Sequence, residues 1–247
     1  MKVVFHEDFF QVYTSDPAAA PGRMEAIVAA IEEHVEFVVA EPAEEAQIAA
    51  VHTSAHIEHV RLNGLYDIAA LAAGGAVMAA SIGLSEPCFA LIRPPGHHAS
   101  AGSAWGFCYF NNMAVALQAM KRAGRIQTAY VLDFDLHYGD GTVNILEHRG
   151  YVDIHNPGAH ERKAYLWEVA EELARCRADI IGVSAGFDNH RQDWGGLLMT
   201  EDYFEMGRMV REAARRNRAG SFAILEGGYN PSVLGQNALA LINGLSV

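Results

Sequence analysis

Short apolar runs alternate along the chain with longer stretches in which apolar side chains recur every three or four positions. The runs at 2–5, 37–39, 88–92, 128–132, 151–154, 180–184 and 222–225 are rich in Val, Ile, Leu and Phe, with turn formers such as Gly, Pro, Asn or Asp near many of their ends. That is the pattern of strands buried on both faces. Helices are predicted at 23–33, 66–82, 112–124, 142–148, 163–176 and 200–217, and at the C-terminus after Pro231. A helix start near Pro42 is favoured by Glu44 and Glu45, Ser54 with Glu58 suits a cap, and Thr200 is expected to cap the long helix to 217, with Glu201 and Asp202 in its first turn. Strand and helix in strict turn predict an α/β fold, with a mostly parallel central sheet of about eight strands and helices on both faces. A single domain over residues 1–247 is expected, since no repeat or linker interrupts the pattern. The apolar stretch 68–82 holds Gly74, Gly75 and Ser81 and is short for a bilayer, so it reads as a buried helix.

Charge narrows the partners. The chain carries a net charge of −12, which disfavours nucleic acid. Cys88, Cys108 and Cys176 are odd in number and widely spaced, which suits reduced thiols in a cytoplasmic protein. The N-terminus turns polar at once and shows no secretory signal, and no membrane association is expected.

The chemistry gathers where strands end. After the fourth run come Asp133, Asp135 and His137 at alternating positions, with Asp140 in the glycine-flanked turn beyond. If the backbone stays extended, the first three share one face. The third run leads to His97 and His98, the sixth to Asp188, and the seventh to Tyr229. In a parallel sheet these ends share one edge, so the residues can meet. Asp135, His137 and Asp188 would give a divalent ion three N/O ligands and leave positions open, as catalytic metal sites do. His97 or His98 can then serve as general base, and the Tyr229 hydroxyl can donate to a developing oxyanion. His52, His56 and His59 have helical spacing but lack a carboxylate partner pattern, and read as packing or surface residues. Cys108 reads as a small apolar residue at the site floor, and Trp105 and Trp194 as candidates for its mouth. His148, His155, His160 and His190 read as structural or solvent-facing, with His160 and His190 candidates for the rim.

Five stretches in order, RPPGHHA (93–99), GFCYFNN (106–112), DFDLHYGDGT (133–142), SAGFDNH (184–190) and EGGY (226–229), resemble the histone deacetylase and acetylpolyamine amidohydrolase family, of the arginase-deacetylase fold. The resemblance covers nearly the whole chain. It implies a metal-dependent deacetylase acting on an N-acetylated or short N-acylated amine, such as an acetyl-lysine peptide or an acetylpolyamine. It implies zinc, or ferrous iron, on Asp135, His137 and Asp188. His97 and His98 match the catalytic pair, with Asp133 and Asp140 as their carboxylate partners, and Tyr229 matches the transition-state tyrosine. Gly106 and Phe107 match the wall of the acyl channel, and a structural potassium ion is implied near Asp133. Three departures stand out: Tyr138 where many relatives have histidine, Asp153 where serine is usual, and a short segment at 155–163 that predicts a shallow, open mouth. Two other readings stay in play. An arginase-like ureohydrolase would need a second metal and an Asp-Ala-His-x-Asp stretch that the chain lacks, and a non-catalytic acyl-binding module would keep the pocket without turnover. Homo-oligomerisation is left open.

Overall fold

The apolar runs become strands because each is too short to bury itself and must pair with its neighbours. A computed structural model describes residues 1–247. In chain order the elements are β1 (Lys2–Phe5), α1 (Arg23–Ile31), β2 (Glu36–Val39), α2 (Glu45–Ile48), α3 (Ser54–Leu62), α4 (Tyr66–Gly83), β3 (Cys88–Ala90) and α5 (Asn112–Arg122). They continue with β4 (Ala129–Asp133), α6 (Asp140–Leu146), β5 (Val152–His155), α7 (Arg162–Arg175), β6 (Ile180–Ala185), α8 (Thr200–Asn217), β7 (Gly220–Leu225) and α9 (Pro231–Ser246). The sheet has seven strands in the order β2-β1-β3-β7-β6-β4-β5, and every pair is parallel. Seven rather than about eight form because no eighth apolar run remains to pair. The one further bridge joins His190 to Leu198 within a loop.

Helices α4 and α5 pack on each other, with α4 against β1, β3 and β7, while α1, α9, α8 and α7 form a contiguous row. The α4 helix runs 18 residues, longer than the apolar stretch suggested and long enough by length and composition to cross a membrane. Its burial explains that composition: 67% of the apolar window lies inside the fold, as in a core helix. Two caps differ from expectation. Thr53 rather than Ser54 caps α3, its side chain accepting the His56 N–H, and Glu58 pairs with Arg61 instead of reaching back. At α8 the Asp202 carboxylate takes the Met199 N–H, while the Thr200 hydroxyl donates to Asn237.

The strand order places the site. β3, β7, β6 and β4 are consecutive in the sheet, and these are the strands whose C-terminal ends carry His97/His98, Tyr229, Asp188 and Asp133–Asp140. Four segments far apart in sequence are thereby set side by side on one edge.

Candidate active site

The strand β4 stops at Asp133, and the backbone does not continue extended. Instead Asp133 Oδ1 accepts the N–H of Asp135 at 3.2 Å, and Asp135 Oδ1 accepts the N–H of His137 at 2.9 Å. Each short carboxylate satisfies a backbone donor two residues on, which turns the chain. The expected single face is therefore replaced by two: Asp133 points to His97, while Asp135 and His137 meet Asp188. Asp188, from the end of β6, accepts the Leu136 N–H at 3.1 Å, and Asp135 Oδ2 accepts the Gly227 N–H at 2.8 Å. Gly186 is required here, because a Cβ on it would lie 1.9 Å from Asp135 Oδ2.

Ligand atoms of Asp135, His137 and Asp188 all lie within 4.8 Å of one another. His137 Nδ1 is 3.2 Å from Asp135 Oδ1 and 3.1 Å from Asp188 Oδ2, yet Asp188 Oδ2 is buried without a properly aligned hydrogen bond. The Asp135 and Asp188 carboxylates beside its ring raise His137 to about 10. Burial raises Asp188 to about 6, whereas His97 and His137 hold Asp135 below the usual carboxylate range despite its burial. A proton on His137 is thus the positive charge that this cluster retains by itself. Two carboxylates, an imidazole and an orphaned buried oxygen fit a divalent cation such as zinc or ferrous iron. No second cluster of this kind occurs in the chain.

Beside the triad, His97 and His98 are both 3% exposed. His97 Nδ1 is 3.1 Å from Asp133 Oδ2, and His98 Nδ1 is 2.6 Å from Asp140 Oδ1. The two rings are set differently. Burial works against a charge on His97, but the Asp135 and Asp133 carboxylates overcome it and raise its pKa well above the ordinary value. Burial and the neighbouring His97 lower His98 to about 4, so it is held neutral. Gly106, at φ +59°, lies against His98: a Cβ there would be 2.4 Å from the ring. Phe107 follows with φ +68°, a left-handed conformation that a phenylalanine adopts only when its surroundings hold it there.

Tyr229 is placed by a turn that the sequence motif names without explaining. The Tyr229 and Asn230 N–H groups both donate to Asp193 Oδ2 at 2.8 Å. Arg23, 1% exposed at the start of α1, donates to the carbonyls of Glu226 and Gly228 at 2.5 and 2.8 Å. Glu226 in turn accepts the Gly96 and His97 N–H groups at 2.7 and 3.2 Å, tying the tyrosine turn to the histidine loop. Burial pushes the Tyr229 phenol up, which keeps its O–H protonated as a donor. Arg23 and Glu226 had no assigned role in the sequence reading. Nothing in the local pattern around Arg23 marks it, since the Glu226 and Gly228 carbonyls that it holds are some 200 positions away.

His97, His98, His137, Gly106, Phe107 and Tyr229 line one slot of about 290 Å³ with Trp105 and Trp194 at its walls. Larger hollows lie elsewhere, one of about 530 Å³ between α3 and residues 102–109. Size does not mark the site; convergent polar groups do. Trp194 stacks on Tyr229 at 4.0 Å between ring centroids. The remaining residues separate. His52 and His56 are buried and hold loop backbone, His52 accepting the Asn111 N–H at 2.9 Å, and His59 is exposed. Cys108 is buried and lines the α3 hollow. His190 is not at a rim but buried between the Gln192 N–H and the Thr200 hydroxyl. His160 lines a second cavity of about 520 Å³ that reaches Asp135 and His137 from the side of the short 155–163 segment. Tyr138 and Asp153 share a third hollow along the edge strand β5.

Comparison with known proteins bears on the family and the fold. A model of the histone deacetylase domain matches residues 60–165 and 153–245. A probable deacetylase of Methanothermobacter thermautotrophicus is 30% identical, over 98% of this chain and 90% of its own. A histone deacetylase-like amidohydrolase of Pseudomonas aeruginosa is 32% identical over 74% of this chain, and acetylpolyamine amidohydrolase 1 of the same organism is 31% identical over 65%. The chain spans less than two thirds of those two relatives, 59% and 56%. The crystal structure of the HDA15 HD domain superposes with a TM-score of 0.85 over 99% of this chain and 88% of that one, at 25% identity.

Two measurements test this arrangement. His137 in the folded protein sits above its ordinary value of 6.5, so its contribution to stability is complete below pH 6.5 and is lost as pH rises towards about 10. Metal-free protein should show a falling urea midpoint across that window, a fall missing in His137→Gln; identical profiles for the two would refute the reading. Arg23→Met should cost roughly 3 kcal/mol in equilibrium unfolding, because buried carbonyls lose charged donors; a loss below about 0.5 kcal/mol would contradict it.

Proposed function

The chain belongs to the histone deacetylase family, and on that premise we propose that it is a metal-dependent amidohydrolase removing acetyl or another short acyl group from an amine. The observation that carries the reading is the convergence of the Asp135/His137/Asp188 triad, two differently tuned histidines and a half-buried tyrosine on one narrow slot. Asp135, His137 and Asp188 would hold zinc or ferrous iron. Bound there, the ion supplies Lewis acidity, acidifying water and polarising the amide carbonyl.

The protein's own groups divide the rest of the work. His98, neutral and with Nδ1 on Asp140, is the residue suited to take a proton from the attacking water and pass it to the leaving amine. His97, held between Asp133 and Asp135, supplies positive charge beside the reacting carbonyl. Tyr229 donates its O–H to the oxyanion. Gly106 and Phe107 form the wall along which a slim methylene chain can lie, and the stacked Trp194 braces Tyr229. Both oxygens of Asp133 already have partners, so the potassium ion we propose near it would rely mainly on main-chain oxygens.

A slot of about 290 Å³ and a net charge of −12 favour a linear acylated amine, free or on a basic peptide. The name of one relative, acetylpolyamine amidohydrolase, points the same way. The single triad supports one catalytic ion per chain rather than the pair that a ureohydrolase would need.

Tyr229→Phe should keep metal and melting temperature while kcat falls roughly 10²–10³-fold. Turnover at the wild-type rate in that variant would exclude Tyr229 as the oxyanion donor. Elemental analysis of purified protein should find one transition metal ion per chain, and two tightly held ions would favour the ureohydrolase reading instead.

A further inference from the structure

One contact at the slot wall has no part in the chemistry described above. Trp105 is 55% exposed, yet its indole Nε1–H donates to both oxygens of Asp140, at 3.2 and 3.0 Å. Its ring lies over that of His98, with centroids 3.8 Å apart and planes 30° apart. His98 in turn lies over His97 at 4.0 Å, and the Gly106 backbone closes on the His98 ring edge. The imidazole is therefore held on one face by Trp105, on the other by His97, at its edge by Gly106 and at Nδ1 by Asp140.

Asp140 is the weak point of this arrangement. It begins α6 with its side chain 36% exposed, so the carboxylate can turn to water and release His98 Nδ1. Its side-chain donors are two, His98 and Trp105. A half-exposed indole gains little from burial, whereas a hydrogen bond to an ionised carboxylate is among the stronger ones. Trp194, across the slot, shows the contrast: it stacks on Tyr229 at 4.0 Å but makes no hydrogen bond through its indole nitrogen.

We propose that Trp105 is a positioning residue for His98. Its N–H pins the Asp140 carboxylate and its ring clamps the imidazole from outside, so that His98 keeps its proton on Nδ1 and presents Nε2 to the slot. This assignment rests on the deacetylase reading for its kinetic consequence, but not for its structural one.

The test uses zinc-loaded protein with ¹⁵N-labelled histidine, in which nitrogen shifts report the tautomer. Wild type should show His98 as a single Nδ1–H tautomer. Trp105→Phe keeps an aromatic ring and removes the donor. It should give mixed tautomers at His98 and an about tenfold lower kcat on an acetylated amine, with KM changed less than about twofold. Trp194→Phe should leave the His98 tautomer unmixed. In an Asp140→Asn background, Trp105→Phe should lower kcat no further, because the carboxylate through which it acts is gone. An unmixed His98 tautomer in Trp105→Phe, or full additivity with Asp140→Asn, would overturn the proposal. If zinc-loaded wild type hydrolyses no acetylated amine, the deacetylase reading fails, and the tautomer comparison still decides the role of Trp105.

Discussion

The site is built around buried carboxyl groups that have too few partners to balance them. Asp133, Asp135, Asp188 and Glu226 are between 0 and 6% exposed and converge at the ends of neighbouring strands. Taking one carboxylate out of water is costly unless it is paired or hydrogen-bonded. The protein offers backbone N–H groups, two histidine rings and the Ser184 hydroxyl. One oxygen of Asp188 still has no partner. The parallel sheet, the turns that aim N–H groups inward and the glycines at 186 and 227 all serve to hold that imbalance in place. A divalent cation is what the imbalance calls for.

Much of this was legible because the chemistry lies at the ends of strongly patterned strands. The runs before His97, Asp133, Asp188 and Tyr229 identify the strands, and parallel topology makes their ends one edge whatever the strand order. The strand order itself was not legible, nor was the turn at Asp133. There the alternation of Asp, Asp and His looks like a strand, while each carboxylate competes for backbone N–H groups as a turn former. A periodicity reading counts positions and does not weigh that competition.

The contacts that fix the rings lining the slot were the least legible. Arg23 and Glu226 act through main-chain atoms of distant segments, and Trp105 acts on His98 through Asp140. Such partners depend on the packed geometry and leave no spacing in the sequence. The departures of the chain, Tyr138 and Asp153, turn out to lie together beside the edge strand β5, and the short 155–163 segment leaves a cavity beside the triad.

The central claim is that a cation held by Asp135, His137 and Asp188 supports amide hydrolysis in this slot. Acetate released from acetyl-lysine peptides and acetylated diamines, measured with zinc-loaded wild type and with Asp188→Asn, tests it most directly. Wild type should release acetate and free amine in equal amounts from at least one of these substrates, and Asp188→Asn should not. No acetate from any of them, or equal release by the variant, would contradict it.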